Sequence, residues 1–501
     1  MNLSKSVSTL SSSPRSIGHL VRNGMLWATL GTITSKSASF GAQLVLGWTL
    51  EKEDFALYAI AISWSTIAFA LRNGGTEKLL VQSGRRYEEY AVPCFKIGLA
   101  FNCLILLTLL LAAPALANYY QSSSLQTLIC IIGLSIPLNT VAMIFQARLS
   151  SELRFGELAR LTIWSAILRH ASMVLFALMG FGAISFVLPL LVITIFEAMG
   201  GWFLVGSWPP NRQLTWPLIR NILLDTRWIM LTTFAGMLVL NGDYWAISLL
   251  QSKETLGVYY FGFQLTFSIA VLFGGGVEAV MMPTFSRLRA DTQRQTAAFH
   301  RAVRLVVFGT TLVSFALVLS APALLHFLWG GKWDSATIVV QLLGLSLPVK
   351  MVLSLCRSLM EGRGEWKFIS YLLLVDGAGT VLAAFTGGLF GGVAMIAAMI
   401  AAYNVIFGFL FYSLISLRTT SNVRKAFLSL GIPFILGILA LGSTSLLILV
   451  HPFNNYSLPD TGVVIVIFVA LYLILTRIFE KDNLSDAVSL VRQIHRPAIA
   501  R

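Results

Sequence analysis

Residues 125–147 read LQTLICIIGLSIPLNTVAMIFQA and contain no charged side chain. About 20 apolar residues in a helix cross the hydrocarbon core of a bilayer, so this stretch is long enough to span a membrane. A soluble helix of this length would need a charged or polar face toward water, and this one has no charged face. The stretch therefore predicts a transmembrane helix, and comparable stretches recur along most of the chain.

The composition of the whole chain indicates the same class of protein. Of the 501 residues, 56% are hydrophobic and 12% are charged, with a mean hydropathy of +0.78. Soluble domains carry about 25% charged residues. We attribute the net charge of +14 to lysine and arginine in cytoplasmic loops rather than to nucleic-acid binding. The four cysteines form no CxxC pair, so the sequence predicts neither a disulfide framework nor a metal site.

Stretches of spanning length predict an all-α integral membrane protein with about fourteen transmembrane helices. They fall at 24–49, 55–78, 91–117, 125–147, 157–179, 182–205, 217–240, 255–282, 302–328, 335–360, 367–387, 391–416, 426–450 and 461–479. Alternate loops collect arginine and lysine, whereas the opposite loops hold only Lys52, Lys253 and Lys332, each beside an acid. By the positive-inside rule, we expect both termini to be cytoplasmic, with the longest outer loops near 118–124, 241–254 and 451–460.

An internal repeat relates the two halves of the chain. A shift of 201 residues aligns 52–86 with 253–287. Lys52-Glu53 then coincides with Lys253-Glu254, and Gly74-Gly75 with Gly275-Gly276. Further along, a shift of 211 residues aligns GLSIP at 133–137 with GLSLP at 344–348. The second copy begins six helices after the first. Because six is even, the halves share one orientation and are related by an axis along the membrane normal.

This repeat predicts two parallel six-helix lobes followed by two further helices. We expect a cytoplasmic N-terminal tail (1–23), an N-lobe of helices 1–6 (24–205), a C-lobe of helices 7–12 (206–416), helices 13 and 14 (417–480) and a cytoplasmic C-terminal tail (481–501). In transporters built from such repeats, the substrate site lies between the lobes near the midplane.

Ionisable residues inside the predicted spans are candidates for that site, because charge in the bilayer core is costly. Lys36, Arg169, Arg227 and Lys350 fall near mid-span. We predict that they line a cationic, water-filled cavity, since the planar guanidinium of arginine pairs well with phosphate oxygens. The alternative that each cation pairs with a buried acid stays open. Arg72, nearer the cytoplasmic end of its span, is interpreted as an interfacial anchor.

Two acids and four aromatic residues carry further predictions. Glu197 and Asp376 are candidates for binding the cation that couples transport to a gradient, with no pattern that separates proton from sodium. The aromatic residues at predicted outer span ends are interpreted as anchors in the membrane interface; they are Tyr119, Tyr120, Trp329 and Trp333.

Several loop motifs resemble those of a known family. The run LEKEDFALY at 50–58, the run MPTFSRL at 282–288 and the segment WGGKWDSA at 329–336 are similar to motifs of the polysaccharide transporter family. These are the Wzx-type oligosaccharide flippases, within the superfamily that also holds multidrug extruders and the lipid II flippase. The resemblance covers nearly the whole chain, and its motifs identify the superfamily better than the substrate.

The resemblance implies a flippase that moves a polyprenyl-diphosphate-linked oligosaccharide across the bacterial cytoplasmic (inner) membrane during synthesis of lipopolysaccharide, capsule or exopolysaccharide. Expected partners are the lipid-linked oligosaccharide, membrane lipid, a polysaccharide polymerase and a chain-length regulator, and a monomer is sufficient for the mechanism. No cofactor is expected, and the chain has no phosphate-binding loop of the GxxxxGK[ST] type. A multidrug extruder of the same superfamily is the alternative, and a membrane-embedded polymerase or ligase is a third reading.

Overall fold

Long α-helices form at nearly every predicted span. The computed structural model describes residues 31, 34–83, 87–152, 154–211, 213–419, 423–450 and 457–479. Helix α1 occupies residues 34–49. The helices that follow are α2 (Lys52–Trp64), α3 (Thr66–Leu71), α4 (Thr76–Ser83), α5 (Tyr87–Tyr119), α6 (Ser123–Ser151), α7 (Phe155–Leu178), α8 (Leu188–Val205), α9 (Trp216–Leu250), α10 (Lys253–Arg287), α11 (Thr292–Trp329), α12 (Thr337–Arg363), α13 (Trp366–Phe390), α14 (Val393–Thr419), α15 (Val423–Val450) and α16 (Leu458–Phe479).

The all-α membrane class is confirmed, while the count of fourteen spans is not. Among the described residues, eleven helices are long and apolar enough to cross a membrane, or twelve if one bent helix pair is a single span. The predicted span 24–49 falls partly on α1 (34–49) and partly outside the described residues, and the span 255–282 falls on α10. The count of fourteen and the lobe boundaries therefore stay predictions, and the two predicted tails lie outside the described residues.

The second predicted span is interrupted rather than continuous. Between α3 and α4 the chain makes a short 3₁₀ turn at Arg72–Gly75, in which φ is 58° at Asn73, 58° at Gly74 and 71° at Gly75. Glycine adopts such left-handed backbone freely, and asparagine tolerates it better than most residues. The corresponding helix of the second repeat, α10, runs without a break from Lys253 to Arg287.

The largest core cluster joins both halves of the chain through aromatic rings. Phe261 on α10 stacks on Trp333, with ring centroids 3.7 Å apart, and Phe55 on α2 meets Trp333 edge-on at 5.0 Å. The indole nitrogens of Trp329 and Trp333 donate to the α1 carbonyls of Leu44 (3.0 Å) and Gly47 (2.9 Å). Trp333 is fully buried.

The prediction of a lipid-facing aromatic belt is therefore wrong for three of its four members. Trp329, Trp333 and Tyr120 are buried, whereas Tyr119 is 63% exposed. Their polar atoms find partners inside the protein, which is the usual requirement for burying tryptophan and tyrosine. At the predicted outer face Trp329 and Trp333 fasten α1 to the second half of the chain.

Reciprocal ion pairs close the same predicted outer face. Lys52 bonds to Glu254 at 2.9 Å, and Lys253 bonds to Glu53 at 3.1 Å. The repeat aligns Lys52-Glu53 with Lys253-Glu254, so each ion pair is the image of the other under a two-fold relation between the lobes. We call these two pairs the outer latch. The first turns of α2 and α10 also approach closely enough that a Cβ atom at Gly257 would collide with the Lys52 carbonyl.

Candidate functional site

Arg169 lies where two cavities meet. The larger, which we call the N-lobe cavity, has a volume of about 350 Å³ and is lined by residues of α2, α3, the turn Arg72–Gly75, α4, α6, α7 and α8. The smaller, which we call the junction cavity, has a volume of about 90 Å³ and is lined by residues of α1, α2, α7 and α10. Arg169 and Tyr58 line both. The junction cavity thus brings together residues from both halves of the chain.

Three side chains at the junction cavity hold buried nitrogen atoms without a partner. In the described part of the chain, these are Nε2 of Gln43, Nε of Arg169 and Nδ1 of His170. Buried polar groups in folded proteins are nearly always hydrogen-bonded, so each exception requires an explanation. Three exceptions around one cavity mark it as a candidate ligand site.

Positive charge accumulates at the junction cavity. Lys36, half-buried on α1, lies within electrostatic range of Arg169 and of His170. None of the described lining residues of the junction cavity is acidic. The structure therefore brings together two of the four predicted cations, Lys36 and Arg169.

Arg72 also lines the N-lobe cavity, although the sequence analysis assigned it to the membrane interface. It lies at the start of the interrupted turn, and the next residue is held by the fully buried Asn102 of α5. The Asn73 backbone N–H donates to Asn102 Oδ1 at 2.8 Å, and Asn102 Nδ2 donates to Asn73 Oδ1 at 2.7 Å. Asn102 Nδ2 also contacts the hydroxyl of Thr140 at 2.8 Å. We call Asn73, Asn102 and Thr140 the asparagine clamp.

Lys350 occupies a different site, in the second half of the chain. It lines a small cavity of about 10 Å³, with its Nζ 5.4 Å from the centroid of the Phe263 ring. Two buried carboxylates, Asp243 on α9 and Asp376 on α13, lie within electrostatic range of Lys350. Lys350 therefore shares its surroundings with acids.

The two carboxylates near Lys350 are each held by a tyrosine. Tyr259 donates to Asp243 Oδ2 at 2.7 Å, and Tyr403 donates to Asp376 Oδ1 at 3.3 Å. Asp243 lies beyond the predicted span, which ends at residue 240, whereas α9 continues to Leu250. We call Asp243, Lys350 and Asp376 the acid–lysine cluster.

Glu197 and Arg227 complete the predicted set. Glu197 lines the N-lobe cavity, accepts a hydrogen bond from Gln146 Nε2 at 3.0 Å, and lies within electrostatic range of Arg72 and Arg169. Arg227 is exposed on α9, with its guanidinium carbon 5.7 Å from the centroid of the Trp228 ring. The structure does not bring Arg227 together with the other three cations, and its role stays a prediction.

Metal-ligating side chains are not clustered in the described part of the chain. There, no group of three or more His, Cys, Asp and Glu residues is arranged to hold a metal ion. The four cysteines are free thiols on α5, α6 and α12. The arrangement as a whole presents charge and hydrogen-bonding groups inside a helical bundle, which suits binding and transport.

Comparison with protein families gives a match over more than half of the chain. The profile described as "Polysaccharide biosynthesis protein" matches residues 45–338. The teichuronic acid biosynthesis protein TuaB of Bacillus subtilis (strain 168) is 20% identical over 436 residues, covering 85% of this chain and 89% of that protein. The succinoglycan biosynthesis transport protein ExoT of Rhizobium meliloti (strain 1021) is 26% identical over 371 residues, covering 72% and 74%.

Comparison with solved structures identifies the fold. The lipid II flippase MurJ in an inward closed conformation superposes with a TM-score of 0.70 at 15% sequence identity, covering 92% of this chain and 99% of that one. At this level of identity the similarity concerns the fold alone. The chain thus shares the helical architecture of a membrane transporter over nearly its whole length.

Proposed function

The chain belongs to the polysaccharide biosynthesis protein family, and from that membership we propose that it flips a polyprenyl-diphosphate-linked oligosaccharide across the cytoplasmic membrane. The observation that carries this proposal is the junction cavity. Its unpartnered nitrogens of Gln43 and Arg169 are donors that suit a ligand rich in acceptors, and Lys36 adds a second cation. A diphosphate supplies acceptor oxygens and negative charge together.

The proposed mechanism is alternating access of the two lobes around the junction cavity. The outer latch and the buried tryptophans join the lobes at the predicted outer face, which supports a state that receives substrate from the cytoplasmic side. In this scheme both termini are cytoplasmic and a monomer is sufficient. A polysaccharide polymerase and a chain-length regulator would act on the product.

For the coupling cation we favour Asp376 over Glu197. Asp376 lies with Asp243 in the acid–lysine cluster, where two carboxylates share one lysine within electrostatic range. Glu197 already accepts from Gln146 and lies near two arginines, so a further cation is less favourable there. A proton or a sodium ion fits this proposal equally.

A multidrug extruder is the second candidate function, and the charge of the junction cavity argues against it. Cationic drugs favour acidic surroundings, whereas the described lining of this cavity includes aromatic rings (Tyr58, Phe186, Tyr260) but holds Arg169 and His170 and no acid. A polymerase or ligase would need catalytic residues on a large outer loop. The predicted loop 241–254 is helical up to Leu250, which leaves little of it for catalysis.

The test is flipping of a fluorescent prenyl-diphosphate oligosaccharide by the purified protein in proteoliposomes, scored by quenching from outside. We expect Arg169→Ala to lower the rate at least about tenfold, because a charge-assisted bidentate contact is lost. Arg160→Ala is the matched control, since Arg160 is exposed on the same helix. Equal rates for wild type and Arg169→Ala would contradict the site. Absence of flipping by the wild type, together with export of a cationic dye, would favour the extruder.

A further inference from the structure

The N-lobe cavity has a different charge balance from the junction cavity beside it. Its charged lining residues are Arg72, Arg169, Glu77 and Glu197, two of each sign. The junction cavity adjoins it at Tyr58 and Arg169 and has no acid among its described lining residues. A diphosphate is therefore accommodated better at the junction, and the N-lobe cavity is suited to a polar group with little net charge.

Helix α6 supplies the polar wall of the N-lobe cavity. Ser135, Asn139 and Gln146 line it from one face of the helix, at spacings of four and seven residues, which is the periodicity of one helical face. The Gln146 side chain is fixed by its 3.0 Å bond to Glu197 on α8. An amide offers both donors and acceptors, and a carboxylate offers acceptors. These amide and carboxylate side chains therefore match sugar hydroxyl groups, which both donate and accept hydrogen bonds.

The size of the N-lobe cavity limits what it can hold. Its volume of about 350 Å³ lies near the lower end of the range of ~300–1,000 Å³ found for small-molecule sites. It therefore accommodates part of an oligosaccharide rather than a long repeat unit. Arg169 lies at the boundary between the two cavities. If it binds the diphosphate, the part of the oligosaccharide attached directly to the diphosphate lies at the entrance of the N-lobe cavity.

We propose that the N-lobe cavity is a sugar subsite that binds the first sugar of the lipid-linked glycan, with Asn139, Gln146 and Glu197 hydrogen-bonding its hydroxyl groups. This inference rests on the proposed flippase function and deepens it. It divides the site into two parts. The junction cavity recognises the diphosphate that every such substrate shares, and the N-lobe cavity discriminates between glycans.

The test compares two soluble probes, farnesyl diphosphate and the same molecule carrying one hexose, by calorimetric binding to the full-length protein in detergent. For the wild type, we expect the hexose to strengthen binding by about tenfold, the effect of one or two good hydrogen bonds. Gln146→Met and Asn139→Leu should remove this gain and leave the affinity for farnesyl diphosphate within about twofold. Arg169→Ala should weaken binding of both probes.

The matched control is Gln126→Met, because Gln126 is exposed on the same helix; it should leave both affinities unchanged. Glu197→Gln is a second variant that keeps the size of the side chain, and it should reduce the hexose gain if Gln146→Met proves unstable. Equal weakening of both probes by Gln146→Met and Glu197→Gln would indicate a structural role and overturn the subsite. If the wild type bound farnesyl diphosphate and its hexose derivative with equal affinity, the sugar subsite would be overturned and the proposed function would stand. A wild type that binds neither probe would overturn the proposed function, and the subsite with it.

Discussion

The two repeats diverge most where their second helices reach the middle of the bundle. In the N-lobe this helix breaks at Arg72–Gly75 and borders a cavity of about 350 Å³. In the C-lobe the equivalent helix α10 is continuous, and the described cavity at the related position has a volume of about 10 Å³. The repeat aligns Ser135 with Ser346 and Asn139 with Lys350, so the two cavities are built from corresponding faces of α6 and α12.

The charges divide between the lobes in the same way. Arg72 and Arg169 line the N-lobe cavity, whereas Lys350 lies with Asp243 and Asp376 in the acid–lysine cluster. The N-lobe copy thus has the larger cavity with charges of both signs, and the C-lobe copy has a lysine between two carboxylates. This difference suggests that a coupling cation binds in the C-lobe, apart from the junction cavity that we propose for the anionic substrate. Symmetry in sequence therefore does not imply symmetry in function.

The asparagine clamp explains why only one of the two helices is broken. Gly-Gly occurs at the corresponding positions of both repeats, so glycine alone does not interrupt the helix. A shift of 211 residues places Val313 opposite Asn102 and Met351 opposite Thr140. These C-lobe residues have no side-chain amide or hydroxyl, so they cannot hold a left-handed turn as Asn102 does.

The largest expected effect follows from replacing Asn102 with the residue of the other lobe. Asn102→Val removes the partners of the Asn73 backbone and side chain, which are buried. Unpaired buried groups cost about 1–3 kcal/mol each, so we expect the free energy of unfolding to fall by about 2–4 kcal/mol. Flipping per folded molecule should fall at least about tenfold, because Arg72 loses its position in the cavity. Thermal unfolding and proteoliposome flipping measure the two effects.

Thr108→Val is the control for the clamp. Thr108 lies on the exposed face of the same helix and bonds only to the Leu104 carbonyl of its own turn, at 2.9 Å. We expect its unfolding and flipping to match those of the wild type. If Asn102→Val behaved in the same way, the clamp would not be the cause of the difference between the lobes.

What could be predicted from the sequence were the properties that depend on local composition. Apolar length gave the positions of the helices, and the repeat aligned the two ion pairs of the outer latch before their contact was visible. Arg169 was identified because a cation in an apolar stretch is conspicuous in any conformation.

The residues that were missed depend on three-dimensional context. Arg72 was assigned to the interface because it lies near the cytoplasmic end of its predicted span, although Asn73-Gly74-Gly75 was a visible signal for a break. Asp243 was hidden by a helix end placed ten residues too early. Gln43 is neutral and polar, and only burial without a partner marks it as a candidate binding residue.

A smaller effect is expected at the outer latch, where the lobes are most alike. Exposed ion pairs contribute little because water and salt screen them, so reversing one charge should raise the open population by no more than about fivefold. We expect Lys52→Glu to increase labelling, from outside, of a cysteine placed at Ser39, which lines the junction cavity, in a variant lacking the native cysteines. Adding Glu254→Lys should restore the labelling rate of the closed state.

The symmetry mate of that pair provides the comparison between lobes. Lys253→Glu with Glu53→Lys should give the same recovery if the latch is symmetric. Lys332 makes its contacts on the N-lobe side of this face, where its Nζ donates to the Leu50 carbonyl at 2.8 Å and lies 3.4 Å from the Glu51 carboxylate. If neither double variant restored the labelling rate of the closed state, Lys332 and the buried tryptophans would hold the predicted outer face closed without the outer latch.

The smallest expected effect is the pH dependence of the latch. The hydrogen bond from Lys52 lowers the pKa of the Glu254 carboxyl below its ordinary value of 4.5 in the closed state. A lowered pKa stabilises the closed state fully above the ordinary value, and this contribution is lost as the pH falls through the lowered pKa. Labelling of the cysteine at position 39 should therefore rise slightly as the pH drops below about 4.5. In Glu254→Gln, which cannot titrate at this position, the rise in labelling should be smaller. An equal rise would assign the pH response to other carboxylates. The Lys52–Glu254 pair would then have no measurable share in holding the lobes together.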